Sequence, residues 1–193
     1  MKTILMSVVA MTLLFGIALK FAVSGEDGEY GEDGERSTFS SLLKRDKDVA
    51  PVKNMKYEKE CGDCHMPYPA GLLPARSWQK IMQGLDDHFG DNAEVDAAIN
   101  KEITDYLVRN SADNSNYRRS RRIMRSLQSD QVPLRITELS YFRREHREIP
   151  KRMIADNTKV NSLSNCSACH RQAKQGSFSE REINIPGYGR WDD

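Results

Sequence analysis

The chain has 193 residues, room for one or two small domains. Its 29 basic and 28 acidic residues nearly cancel, and no nucleic-acid-binding motif accompanies them, which argues against a nucleic-acid partner. Hydrophobic residues make up 38%, modest for this length.

Residues 1–24 read as a secretory signal peptide. Lys2 gives a short positive start, residues 3–19 form an apolar run, and Ala22, Val23 and Ser24 suit cleavage before Gly25. A run of 17 residues also sits at the edge of what crosses a bilayer, so an uncleaved N-terminal anchor is the alternative. Only that alternative would place the chain on a membrane. Both readings export the rest of the chain, to the periplasm. Residues 25–52 read as an acidic flexible linker. Its first part, GEDGEYGEDGER, carries six acidic residues and four glycines and cannot bury a core. The folded part is expected to begin near Val52.

A first unit is expected over residues 53–112. It holds Cys61-Gly62-Asp63-Cys64-His65, and the same pattern returns as Cys166-Ser167-Ala168-Cys169-His170. Cys-x-x-Cys-His is the attachment sequence for a c-type haem. Cysteines three apart lie on one side of a helical turn, where both sulfurs reach the vinyl groups on one porphyrin edge. The next residue then sets an imidazole under the iron. The two copies use all four cysteines, so two covalently bound haem c groups are expected. A zinc site or structural disulfides are the alternatives, but neither needs a histidine directly after the second cysteine. Three prolines in residues 67–74 then exclude regular helix, leaving a loop in which Tyr68 packs on the haem or bonds a propionate.

Four histidines are present, and two lie outside the motifs: His88 and His146. In residues 77–89, Trp78, Ile81, Met82 and Leu85 recur at helical spacing, and His88 falls on their face. A helix is therefore expected there, then a second one bearing Val95, Ile99, Ile103, Tyr106 and Leu107, opened by a capping box at Asp91 and Glu94. In residues 137–149 the stripe Leu139, Phe142 and Ile149 carries His146, on a helix that stops at Pro150. The bland alternative for each histidine is a hydrogen-bonded core residue. Two such histidines and two open iron positions favour axial ligation instead. Met82, Met124 and Met153 are competing ligands, although methionine at helical spacing is commonly core filler. His88 follows its nearest motif by 23 residues and His146 precedes its own by 24, so nearest-neighbour pairing is expected, with crossed pairing open.

Residues 109–152 hold twelve Arg or Lys against five Asp or Glu. That excess reads first as a solvated face, then as compensation for haem propionates, then as a docking patch for an acidic redox partner. A second haem unit is expected over residues 113–193, with the aromatic tail at 178–191 covering its haem. The expected fold is all-α: a mostly helical protein of two small haem-binding units joined by long loops.

The strings C-G-D-C-H-M-P-Y-P-A-G-L-L-P-A-R-S-W at 61–78, H-F-G at 88–90 and R-I-T-E-L-S-Y-F-R-R-E-H at 135–146 resemble the dihaem cytochromes c of the DHC type. The resemblance continues through N-C-S-A-C-H at 165–170 and I-P-G-Y-G-R-W at 185–191. It implies exported electron carriers, not enzymes, with Cys61, Cys64, Cys166 and Cys169 bound to haem and His65, His88, His146 and His170 on iron. It also implies redox partner cytochromes, an oxygen-binding monohaem cytochrome c and a membrane b-type cytochrome among them. The rival class is a haem enzyme, a peroxidase or small-molecule reductase with one labile axial ligand. A gas or redox sensor is a third class, though no signalling module accompanies the motifs.

Overall fold

The computed structural model describes residues 47–191. The signal or anchor segment, and the linker up to residue 46, lie outside the described residues. Among the described residues no helix is long and apolar enough to cross a membrane.

Short helices and loops make up nearly all of the chain. Helix α1 (Met55–Gly62) starts where the Asn54 side chain accepts the Tyr57 backbone N–H at 2.8 Å. After a 3₁₀ turn at Ala70–Leu72, helix α2 (Ala75–Gln83) begins behind Pro74, and Asp113 takes the free N–H of Ala75. Helix α3 (Ala97–Arg109) is capped by Asp96, which accepts from Ala98. The capping box expected at Asp91 and Glu94 is therefore not used; Asn92 instead bonds the Glu94 N–H in the preceding loop. Helices α4 (Arg118–Arg125), α5 (Ser140–Glu145) and α6 (Cys166–Cys169) follow. The only strands among the described residues are Asn184–Ile185 and Gly189–Arg190, a two-residue antiparallel pair in the tail. The all-α expectation holds with that small addition.

One buried cluster runs through both expected units. Trp78 and Met82 of α2 join Ile103 and Leu107 of α3, Ile123 of α4, and Leu139, Tyr141 and Phe142 around α5. Each such side chain contributes roughly 1.5–3 kcal/mol by leaving water. Ser120, fully buried on α4, donates to the Gly71 carbonyl at 2.8 Å, so the second unit's first helix sits on the first unit's turn. Residue 112 thus separates the two cysteine motifs without separating the core, as a chain this small requires. Trp78 is also buried, and its indole N–H is satisfied by the Ala70 carbonyl at 2.8 Å, which pins the proline-rich loop to α2.

Folding starts before Val52, contrary to the linker boundary expected from composition. Asp48 and Val49 are buried, and both backbone N–H groups donate to the Gly176 carbonyl, at 3.0 and 3.1 Å. The Asp48 carboxylate accepts from the Phe178 N–H at 2.7 Å and pairs with Arg119 at 3.4 Å. Composition marked this stretch as solvated because a buried carboxylate is exceptional; its partners lie some 70 and 130 residues away, beyond the reach of any local pattern.

Gly176 is where the two ends meet, at φ +80 with a Cβ position only 2.3 Å from the Val49 carbonyl oxygen. Gly176→Ala is expected to lower stability by about 2 kcal/mol or more, through the left-handed backbone and the backbone clash together. Chemical denaturation of the two proteins measures it, and equal midpoints would remove this anchor from the account.

Candidate functional site

The two cysteine motifs fold differently. In the first, Cys61 closes helix α1 and is half-buried, while Cys64 is exposed on the turn beyond it. In the second, Cys166 and Cys169 bound α6, a single turn. The four thiols are unpaired, and among the described residues no three His, Cys, Asp or Glu side chains converge on one point. Burial pushes the Cys61 and Cys166 thiols up to about 11, so both are protonated at neutral pH rather than poised as thiolates.

His65 follows the first motif and donates from Nδ1 to the Met66 carbonyl at 2.8 Å. That bond fixes the tautomer and leaves Nε2 as the lone-pair nitrogen. The Tyr68 ring stacks on the imidazole, with centres 4.9 Å apart and planes at 26°. Tyr68 itself is held by Tyr57, whose buried hydroxyl donates to the Tyr68 carbonyl at 2.9 Å. The Tyr68 hydroxyl donates to the Ser164 carbonyl at 2.8 Å, so it is not free for a propionate as the sequence suggested.

His88 is not on a helix. Gly84 ends α2, a 3₁₀ turn covers Leu85–Asp87, and His88 leaves it with φ −79 and ψ 79. The apolar periodicity continued to Leu85, but the glycine and two aspartates break the helix it implied. A tight turn through Phe89 (φ 60) and Gly90 (φ 106) holds His88 instead, closed by its N–H to the Asp91 carbonyl at 2.7 Å. The turn presents the His88 ring to His65, with centres 6.3 Å apart and planes at 17°. Burial, then the neighbouring His65 and Arg135, lower the His88 pKa.

His146 sits at the end of α5, which is shorter than the helix expected over residues 137–149. Its Nδ1–H donates to the Phe142 carbonyl one turn back, at 2.9 Å, and its ring lies on the Phe142 ring at 3.9 Å and 13°. His170 faces it with centres 6.2 Å apart and planes at 72°. His170 is strongly buried, and burial, then His146 and Arg119, push its pKa down to about 4. It is a neutral imidazole at any physiological pH, the form that binds metal.

His146, His170, Cys166 and Cys169 line one cavity. Leu139, Phe142, Ile154 and Val160 make its wall apolar, and Phe178, Ile185 and Trp191 bring the tail against it. Three side-chain polar atoms are buried without a partner among the described residues: Oγ of Ser77 and, at this cavity, Nδ1 of His170 and Nε of Arg119. Sequence reading missed Arg119, one arginine among five on a basic stretch. It is singled out only by tertiary contacts, with Asp48 at 3.4 Å and the Tyr141 and Phe178 rings at 5.8 and 5.6 Å.

The residues fit the group that the motifs imply. Two imidazoles sharing one metal, each nitrogen about 2 Å from it, have centres roughly as far apart as these pairs. The rings of His65 and His88 face each other, as do those of His146 and His170. Met82 and Met153 are buried, and Met82 packs in the core cluster.

Comparison with known proteins agrees. Residues 57–178 match the family model described as dihaem cytochrome c. The diheme cytochrome type c of Shewanella baltica OS155 is 46% identical, with a TM-score of 0.61 over 72% of this chain and 98% of its own. The diheme cytochrome c of Rhodobacter sphaeroides is 44% identical, with a TM-score of 0.60 over 67% of this chain and 99% of its own. No curated protein matches the chain.

Tyr57 supports the loop around His65, and burial raises its phenol well above the ordinary value. The folded state therefore holds that proton more tightly than the unfolded state does. Its contribution is fully present below pH about 10 and is lost as pH rises beyond it. Denaturation midpoints followed into alkali should fall, and Tyr57→Phe should flatten part of that fall while costing about 1 kcal/mol at neutral pH. An unchanged alkaline slope in the variant would show that Tyr57 is not the group responsible.

Proposed function

Because the chain belongs to the dihaem cytochrome c family, we propose that it is an exported electron carrier using two bis-histidine, low-spin haems. The family carries two covalently bound haem c groups, and this chain offers two attachment motifs for them. Cys61 and Cys64 would hold one haem through thioethers, with His65 and His88 on its iron. Cys166 and Cys169 would hold the other, with His170 and His146 on its iron. When bound, each haem supplies an iron that changes charge by one electron.

The observation that carries this reading is the facing of the imidazoles, at 6.3 Å in one pair and 6.2 Å in the other. A metal held from both sides offers no position to a substrate, which disfavours peroxidase or reductase chemistry. The Nδ1–H bonds of His65 and His146 to carbonyls orient each ring and raise its donor strength. Each is anchored to the backbone, so little moves when charge arrives or leaves. At the second site the apolar wall excludes water, and Arg119 Nε is a donor suited to a carboxylate of the bound group. The exchange partners are proposed to be other cytochromes, met in the periplasm. The exposed arginines Arg121, Arg122 and Arg125 of α4 favour acidic ones.

Absorption spectra of the purified protein test the reading. Both haems should be low-spin in either oxidation state and indifferent to carbon monoxide. His88→Ala and His146→Ala should each keep two covalent haems while one turns high-spin and binds carbon monoxide. A carbon monoxide shift in the unaltered protein would put the enzyme reading ahead.

The ring planes supply a second test. Near-parallel imidazoles at one iron and near-perpendicular ones at the other, 17° against 72°, split the ferric orbitals differently. Low-temperature electron paramagnetic resonance should resolve two low-spin signals of equal weight, one rhombic and one with a much larger maximal g. A single signal accounting for both irons would contradict the paired geometry.

A further inference from the structure

Tyr68 touches both sites. Its ring lies on His65, the imidazole that follows the first motif, at 4.9 Å. Its hydroxyl donates across 96 residues of sequence to the Ser164 carbonyl, at 2.8 Å. That same carbonyl accepts the Cys166 backbone N–H at 2.9 Å and lies 3.5 Å from the Cys166 sulfur, the first attachment residue of the second site. Tyr68, Leu163 and Cys166 all pack on the one hydrophobic core. From His65 to Cys166 there is thus an unbroken series: ring on ring, a phenol, one hydrogen bond, one carbonyl.

The geometry points to Tyr68 as the residue that couples the two haem sites electronically. The inference rests on the electron-carrier reading and adds to it the route between the centres. With both haems bound, one electron would pass, one iron being oxidised by one unit as the other is reduced. No bond forms or breaks. Tyr68 is neither oxidised nor deprotonated, and its hydroxyl remains the donor to the Ser164 carbonyl.

A second contact also spans the halves near these rings, and it is weaker as a route. Arg135 lies over the Phe89 ring at 4.0 Å, and Phe89 meets His88 edge-on at 4.8 Å. Phe89 is substantially exposed, and no hydrogen bond continues from Arg135 toward a cysteine of the second site among the described residues. It therefore serves as the internal control.

The test uses the holoprotein with both haems attached. Pulse radiolysis delivers one electron, and its redistribution between the haems is followed by absorption beside the two midpoint potentials. Tyr68→Phe keeps the ring on His65 and removes the hydroxyl link; Tyr68→Leu removes both. Redistribution should slow several-fold in the phenylalanine variant and further in the leucine variant. Potentials and low-spin spectra should stay unchanged in Tyr68→Phe, which a merely structural role would not separate from rate. Arg135→Lys keeps the charge and the His88 turn but loses the guanidinium over the Phe89 ring, and it should redistribute at the unaltered rate. If Tyr68→Phe exchanges as fast as the unaltered protein, or Arg135→Lys slows as much, the route is overturned. The phenylalanine variant carries the test alone if the leucine variant fails to mature. Carbon monoxide binding by the unaltered protein would instead overturn the carrier reading beneath it, a separate outcome.

Discussion

The rest of the structure depends on holding imidazoles in pairs, at centre separations of 6.3 and 6.2 Å. A ring on a free side chain would sweep through several rotamers, and four rings would have to be fixed at once. The fold fixes them with backbone more than with side chains. Carbonyls of Met66 and Phe142 hold two of the rings through Nδ1, and a tight turn at Phe89 and Gly90 aims a third. His170 is held by its own N–H to the Cys166 carbonyl and by pairing with Ile183 of the tail. Backbone partners are cheap in entropy because their positions are already fixed by the loops that carry them.

Those loops need fixing in turn, and short helices alone cannot supply it. An eight-residue helix is marginal by itself, so its stability comes from its packed face. Here Trp78, Met82, Ile103 and Leu107 bind α2 to α3, and the Ala70–Leu72 turn is clamped from two sides by Trp78 and Ser120. The buried Asp48–Arg119 pair then ties residue 48 to α4 beside the second cavity. Such a pair is weak as a source of stability, because desolvation offsets the attraction. Its worth is positional. Asp48 holds Arg119 where two aromatic rings flank the guanidinium, and it holds the Phe178 N–H, so the wall of the second cavity and the entry of the chain are one construction.

The chemistry was legible in the sequence and the geometry that delivers it was not. Spacing alone exposed both attachment motifs, since three consecutive functions must fit one turn of chain. The apolar stripes before His88 and His146 were read correctly as buried faces, but both were extended too far. Periodicity does not register that Gly84 and the two aspartates after Leu85 favour a turn, nor that α5 stops at Glu145. Neither error moved a histidine off its partner, because a residue just past a helix end still projects near that face. Asp48, Arg119 and the Tyr68 hydroxyl were misread or missed for another reason. Each acts on a residue 59 to 130 positions away, and no local pattern encodes such a partner.

Equal ligands do not make equal sites. Both histidine pairs offer the same donor atoms, so any difference between the centres must come from what surrounds them. The first site has an exposed cysteine and an exposed Phe89 at its edge. The second is an apolar cavity with an arginine at its wall, whose charge Asp48 opposes. Low polarity and a nearby positive charge both penalise the extra charge of an oxidised metal. Lost hydrogen bonding at His170 Nδ1 acts in the same direction, since a donated proton would have made that imidazole the stronger base. Were a metal held at each site, these three features would favour the reduced state at the second. The asymmetry thus lies in the surroundings of the histidines and not in the histidines themselves.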